Sequence, residues 1–183
     1  TYKNKQIASY GDFSTLSFFS DKTITTGEGG MLLTNNVEVI SESNIYKHDG
    51  RKERGVDVID KRGFNYRLTE LQAAVGVAQL GKSDRFVKRK KENLQLYNSF
   101  LKEVKQVKVF EFTSEGEIVP HRNIILVPKA ADLIEYLVEN GVGARTLFKP
   151  MHSQPCYNRT DEFPITDKLY KTGVCLPSAP SLT

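Results

Sequence analysis

Lys22 is the residue whose type and setting best suit covalent chemistry, in the stretch Ser17-Phe18-Phe19-Ser20-Asp21-Lys22-Thr23-Ile24-Thr25-Thr26-Gly27-Glu28-Gly29-Gly30. A lysine amine becomes a nucleophile when its ammonium gives up a proton readily, which takes partial burial or a cationic neighbour. Ser17 offers a hydroxyl to a phosphate, and Gly27, Gly29 and Gly30 permit positive φ and close backbone approach. A solvated lysine beside a plain tight turn uses the same residues, and spacing alone favours that plainer account. The glycines follow no Walker spacing and precede no Lys-Ser or Lys-Thr pair. They also lack the three-glycine pattern that opens a dinucleotide-binding helix, so both nucleotide loops are excluded.

The elements that must position Lys22 are short. Leu16 to Phe19 and Met31 to Thr34 read as strands either side of a polar loop. Asn35 with Glu38 resembles a helix start, with weak helical spacing to His48, and a polar loop follows from Asp49 to Gly63. Thr69 and Gln72 form a capping-box pattern before a helix whose Leu71, Ala74, Val75 and Ala78 line one face, ending near Gly81. Ser83 starts a longer helix carrying Val87, Leu94, Tyr97, Leu101 and Val104. Strands are expected at Gln106 to Phe112 and Asn123 to Val127, and a helix at Ala131 to Asn140 closed by Gly141. The proline-bearing tail from Pro150 reads as loop. This gives three regions, 1–81, a linking helix 82–105, and 106–183. The first has too few apolar residues to bury a sheet on both faces, so it is expected to need packing partners from upstream.

The 183 residues, 39% hydrophobic and 26% charged with a net charge of +4, have ordinary soluble composition. No apolar run reaches the roughly 20 residues of a membrane helix, and Thr1 to Tyr10 lacks a signal-peptide core, so the expected location is cytoplasmic. The basic run Lys88-Arg89-Lys90-Lys91 lies in a helical pattern and reads as a solvated face. A nucleic-acid surface would need several basic segments interleaved with aromatics. Cys156 and Cys175 define neither a disulfide framework nor a zinc site.

The segment Ser17 to Gly30 resembles the cofactor-lysine signature of the DegT/StrS-type sugar aminotransferases, fold-type-I pyridoxal-phosphate enzymes. A second block, Gly63-Phe64-Asn65-Tyr66-Arg67-Leu68-Thr69-Glu70-Leu71-Gln72-Ala73-Ala74 with Gln79-Leu80, is similar to the family's other strong signature. A third, from Gly141 to Tyr157, resembles its substrate-facing loop. The resemblance implies an α/β fold: the C-terminal part of the large cofactor-binding domain, with a mixed sheet and helices, then a small α+β domain.

It also implies roles. Lys22 would carry pyridoxal 5'-phosphate as a Schiff base and then shuttle a proton. Ser17 would bind the cofactor phosphate, and Asn65 would reach that of a neighbouring subunit, implying a homodimer with shared sites. Arg67 would clamp an amino-donor carboxylate, for which a structural salt bridge is the alternative. His152 and Tyr157 would lie near the sugar. The stretch Arg145 to His152 resembles the perosamine-synthase-like branch, which aminates the 4-keto group of a nucleotide-linked 6-deoxyhexose, with glutamate as the expected donor. The segment Pro120-His121-Arg122-Asn123-Ile124 departs from the aromatic-rich strand expected there.

Family members carry upstream a phosphate loop, an aromatic that stacks on the pyridine ring and an aspartate that pairs with its nitrogen, none of which is in this sequence. Neither Asp12 nor Asp21 matches that aspartate. The leading expectation is therefore an aminotransferase represented by part of its chain, against a non-catalytic or regulatory remnant that binds no cofactor. A dehydratase of the family would carry histidine where this chain has Lys22.

Overall fold

The computed structural model describes residues 1–112, 115–157 and 161–182. It divides into two compact units, one of Thr1–Asp84 with Glu115–Glu117, the other of Arg85–Ser114 with Ile118–Thr183.

In the first unit, β1 (Phe13–Ser17) pairs antiparallel with β2 (Gly30–Thr34), Ser17 opposite Gly30. The first strand lies earlier than the apolar run Leu16 to Phe19 predicts, because the backbone leaves the ladder after Phe18 to begin the lysine loop. Helix α1 (Val37–Tyr46) is capped by Asn36, whose side chain accepts from the amides of Glu38 and Val39. With two adjacent asparagines, the capping oxygen comes from the second, because the Thr34 hydroxyl already holds the Asn36 amide. Helix α2 (Glu70–Leu80) has the full Thr69–Gln72 capping box.

The expected core face of α2 is inverted. Leu71 is 82% exposed and Val75 47%, whereas Gln72, Ala73 and Gly76 face the rest of the unit. Gly76 is what permits the approach, since a Cβ there would stand 3.1 Å from Thr26 Cγ2. The β1–β2 ribbon likewise exposes Phe13, Leu16 and Met31. A lone two-stranded ribbon is marginal in water.

The second unit is better packed. Its antiparallel sheet runs β3 (Lys108–Val109), β4 (Asn123–Leu126), β6 (Gly173–Leu176), β5 (Arg145–Thr146). Its core is Ile125, Val127, Ala130 and Val174, with Leu133 and Ile134 of α4 (Ala130–Glu139) against them. Gly141, at φ +78°, ends α4 as expected. The tail is not all loop: α5 (Pro164–Thr172) starts with proline in its first turn and leads into β6, a central strand whose Val174 is fully buried.

Helix α3 (Ser83–Leu101) corrects the solvated-face expectation for the basic run. Lys88 projects outward, but Lys90 is buried and its Nζ donates to the carbonyls of Pro120 (3.1 Å) and His121 (3.3 Å). Along the same face Asn93 donates to Ala179 O and Tyr97 to Pro177 O. Segments punctuated by proline cannot fully join a ladder, and polar side chains of α3 take their carbonyls instead.

Candidate active site

Lys22 lies in the loop 18–29 that joins β1 to β2. The loop closes on itself: Phe18 O accepts from Thr26 N (3.0 Å) and Thr25 Oγ1 (3.0 Å), and Phe18 N donates to Gly29 O (2.9 Å). Lys22 N donates to Phe19 O (3.0 Å), and the buried Thr26 gives its hydroxyl proton to Glu28 O (2.6 Å). Gly27 and Gly29 have φ of +80° and +144°. At Gly29 a side chain is excluded twice, by that backbone and by Thr26 Oγ1 and Leu68 Cδ1 at 2.7 and 2.9 Å from a notional Cβ.

The same contacts bring the two strong sequence blocks together. Leu68 packs beside Gly29, Gly76 beside Thr26, and Gln72 Nε2 donates to Glu28 O at 3.1 Å. Ser17, at the end of β1, accepts the Phe19 amide at its Oγ (3.3 Å). Its hydroxyl proton is then available to an anionic oxygen.

Asn65 is placed by backbone. Phe64 N donates to Tyr46 O (2.7 Å), Asp49 N to Phe64 O (3.0 Å) and Tyr66 N to Lys47 O (3.2 Å), with Asn65 in a bridge to His48. This zipper requires Gly50 and Gly63, since a Cβ on Gly63 would stand 1.9 Å from Gly50 N. Asn65 and Arg67 are both exposed.

The Lys22 side chain is 39% exposed and its Nζ lies 3.9 Å from a carboxylate oxygen of Asp21. A partly exposed amine on a glycine-bearing loop is nonetheless accessible to an aldehyde, and with the Ser17 hydroxyl at the strand end the donor set fits a phosphate-bearing aldehyde cofactor.

In the second unit, His152 and Tyr157 line one cavity of about 520 Å³ with Met151, Phe163 and Thr166. His152 Nε2 lies 2.9 Å from Asp167 Oδ1, and its ring packs on Phe163 with centroids 4.8 Å apart. Asp167 carries no sequence signal of its own, because a partner 15 residues away is set by the fold. The guanidinium carbons of Arg122 and Arg145 lie 5.6 and 5.0 Å from the ring centre of Phe148. Among the described residues no cluster of histidine, cysteine or carboxylates is arranged to hold a metal.

The loop that carries Lys22 is thus packed against the segment that carries Asn65. The DegT/DnrJ/EryC1/StrS aminotransferase family matches residues 1–183, and the chain belongs to that family. GDP-perosamine synthase of Escherichia coli O157:H7 is 35% identical over 192 residues, covering 100% of this chain and 50% of that protein. The putative pyridoxal phosphate-dependent aminotransferase EpsN of Bacillus subtilis (strain 168) is 31% identical over 193 residues, covering 100% and 49%. The aminotransferase TlmJ from Streptoalloteichus hindustanus shares the fold, with a TM-score of 0.92 at 20% identity over 100% of this chain and 51% of that one. The chain spans about half the length of the curated relatives it matches.

Proposed function

We propose that this chain supplies the lysine-bearing part of a pyridoxal-phosphate-dependent aminotransferase that moves an amino group from an amino acid, glutamate in the first instance, to the C4 keto group of a nucleotide-linked deoxy sugar. Such a product would serve surface polysaccharide or glycoside synthesis. The observation that carries the reading is the packing of the Lys22 loop on the Asn65 block through Leu68 and Gln72. Family membership and the named activities of the relatives support it.

The cofactor, when bound, supplies an electron sink that lets a proton leave the carbon bearing the amino group. Lys22 would hold it, and the Lys22 amine would carry that proton between the donor carbon and the cofactor. Ser17 Oγ donates to the phosphate. Asn65 would reach the cofactor phosphate of a second copy in a homodimer, and Arg67 would receive the donor carboxylate in a two-pronged contact. His152 and Tyr157 bind the sugar. Residues 1–81 would belong to the large domain, 82–105 would link, and 106–183 would form the small domain. Among the described residues no helix is long and apolar enough to cross a membrane, and a cytoplasmic enzyme is the reading we adopt.

One observation favours a second reading, a remnant that binds no cofactor: Lys22 Nζ faces a carboxylate oxygen of Asp21 at 3.9 Å. Assay of nucleotide-linked 4-keto-6-deoxy sugars with glutamate decides between them. Amination abolished by Lys22→Ala supports the enzyme. Preference for 3-keto sugars overturns the C4 assignment, and no amination with the complete cofactor site assembled overturns the enzyme.

A further inference from the structure

His152 sits in a one-turn helix, Met151–Ser153, and its side chain is only 15% exposed. Two features of the α5 start fix its ring. Phe163, the residue capping α5, lies against the ring at an interplanar angle of 39°. Asp167, in the first turn of α5, presents Oδ1 to Nε2 at 2.9 Å, and its amide donates to Phe163 O at 3.0 Å.

An ionised carboxylate only accepts hydrogen bonds. A neutral imidazole held at that distance must therefore carry its proton on Nε2, leaving Nδ1 as a lone-pair acceptor. The cavity that His152 lines is completed by Tyr157, Phe163, Met151 and Thr166. Its volume of about 520 Å³ is in the usual range for small-ligand clefts. Apolar and aromatic walls with a few polar groups suit a hexose, whose ring has apolar C–H faces and a rim of hydroxyl donors.

We propose that Asp167 is a positioning residue: it locks His152 in the Nε2–H tautomer so that Nδ1 accepts a hydrogen bond from a hydroxyl of the sugar. This rests on the reading of the cavity as the sugar subsite. Without Asp167 the imidazole exchanges between tautomers and part of the population offers the sugar hydroxyl a donor instead of an acceptor.

The chain has three histidines, so its imidazole nitrogens can be resolved by nitrogen-15 NMR and assigned with His152→Gln. In neutral His152 the Nε2–H form is expected alone. It should persist in Asp167→Asn, whose side-chain oxygen still accepts, and give way to a tautomer mixture in Asp167→Ala. A dominant Nδ1–H form, or no change in Asp167→Ala, overturns the proposal. In the holoenzyme, Asp167→Ala is expected to raise KM for the nucleotide-linked sugar up to about tenfold more than KM for the amino donor, and Asp167→Asn to stay within about threefold of the parent. Equal loss in both variants, or equal effects on both substrates, also overturns it. If no nucleotide-linked sugar is turned over at all, the sugar-subsite reading fails, while the tautomer result still judges what Asp167 does to His152.

Discussion

The side-chain amide of Gln72 ties the start of α2 to the lysine loop. Its Oε1 accepts from Thr69 N at 2.9 Å while its Nε2 donates to Glu28 O at 3.1 Å. One residue thus caps a helix and anchors the segment that carries Lys22. Gln72→Glu keeps the capping oxygen and loses the donor; Gln72→Ala loses both. The first is expected to speed amide exchange at Phe18 and Thr26 while sparing α2, and the second to cost about 1 kcal/mol more through the lost cap. Equal exchange in both variants across α2 would show that the two functions are not separable.

Gly63 is where backbone meets backbone under Asn65. Gly63→Ala drives a methyl to 1.9 Å from Gly50 N, so it should destabilise the protein by about 3 kcal/mol, at the upper end for overpacking, and release the Phe64 and Tyr66 amides to exchange. Gly141→Ala is the contrast: φ is +78° but nothing lies within 4 Å, so only the left-handed backbone cost of about 1 kcal/mol is expected. Urea denaturation of the two variants measures the difference.

The loop that leads to this crossing is held by Asp60. The Lys52 amide hydrogen bond (3.1 Å), aided by the Lys52 ammonium at 3.3 Å, holds the Asp60 carboxyl below its ordinary value. A lowered folded value means that the contribution is fully present above the unfolded value and is lost as pH falls through the folded one. The Lys52 amide signal should therefore titrate below the midpoint of a free aspartate, and Asp60→Asn should abolish that titration.

How much of this was legible in the sequence depends on how local each signal was. The α2 capping box is read from Thr69 and Gln72 because both partners sit within one turn. The exposed side of α2 was not, because Leu71, Ala74, Val75 and Ala78 form a plausible core stripe and only the fold shows that Gly76 faces Thr26. Lys90 was hidden for the same reason: a lysine in a basic run carries no sign that two carbonyls near Pro120 await it. Strand β6 is four residues, Gly173–Leu176, in a proline-rich tail, too short for periodicity to speak, yet it lies in the middle of the sheet. Of the six candidate site residues, the loop motif positions Lys22 and Ser17, whereas the cavity shared by His152 and Tyr157 emerges only in three dimensions.

The buried position of β6 has a chemical test. Cys175 is 3% exposed and burial pushes its thiol pKa up, whereas Cys156 is exposed. At neutral pH an alkylating reagent should modify Cys156 at once and Cys175 at least about 100-fold more slowly, by opening of the sheet. Comparable rates would contradict the placement of β6.

Lys22 is the proposed cofactor lysine. The direct measurement is to load the protein with pyridoxal 5'-phosphate, reduce with borohydride and locate the modification by peptide mass spectrometry. One dominant modified site is expected, Lys22, lost in Lys22→Ala. A dominant label on any other lysine, or a label that survives Lys22→Ala undiminished, would contradict it.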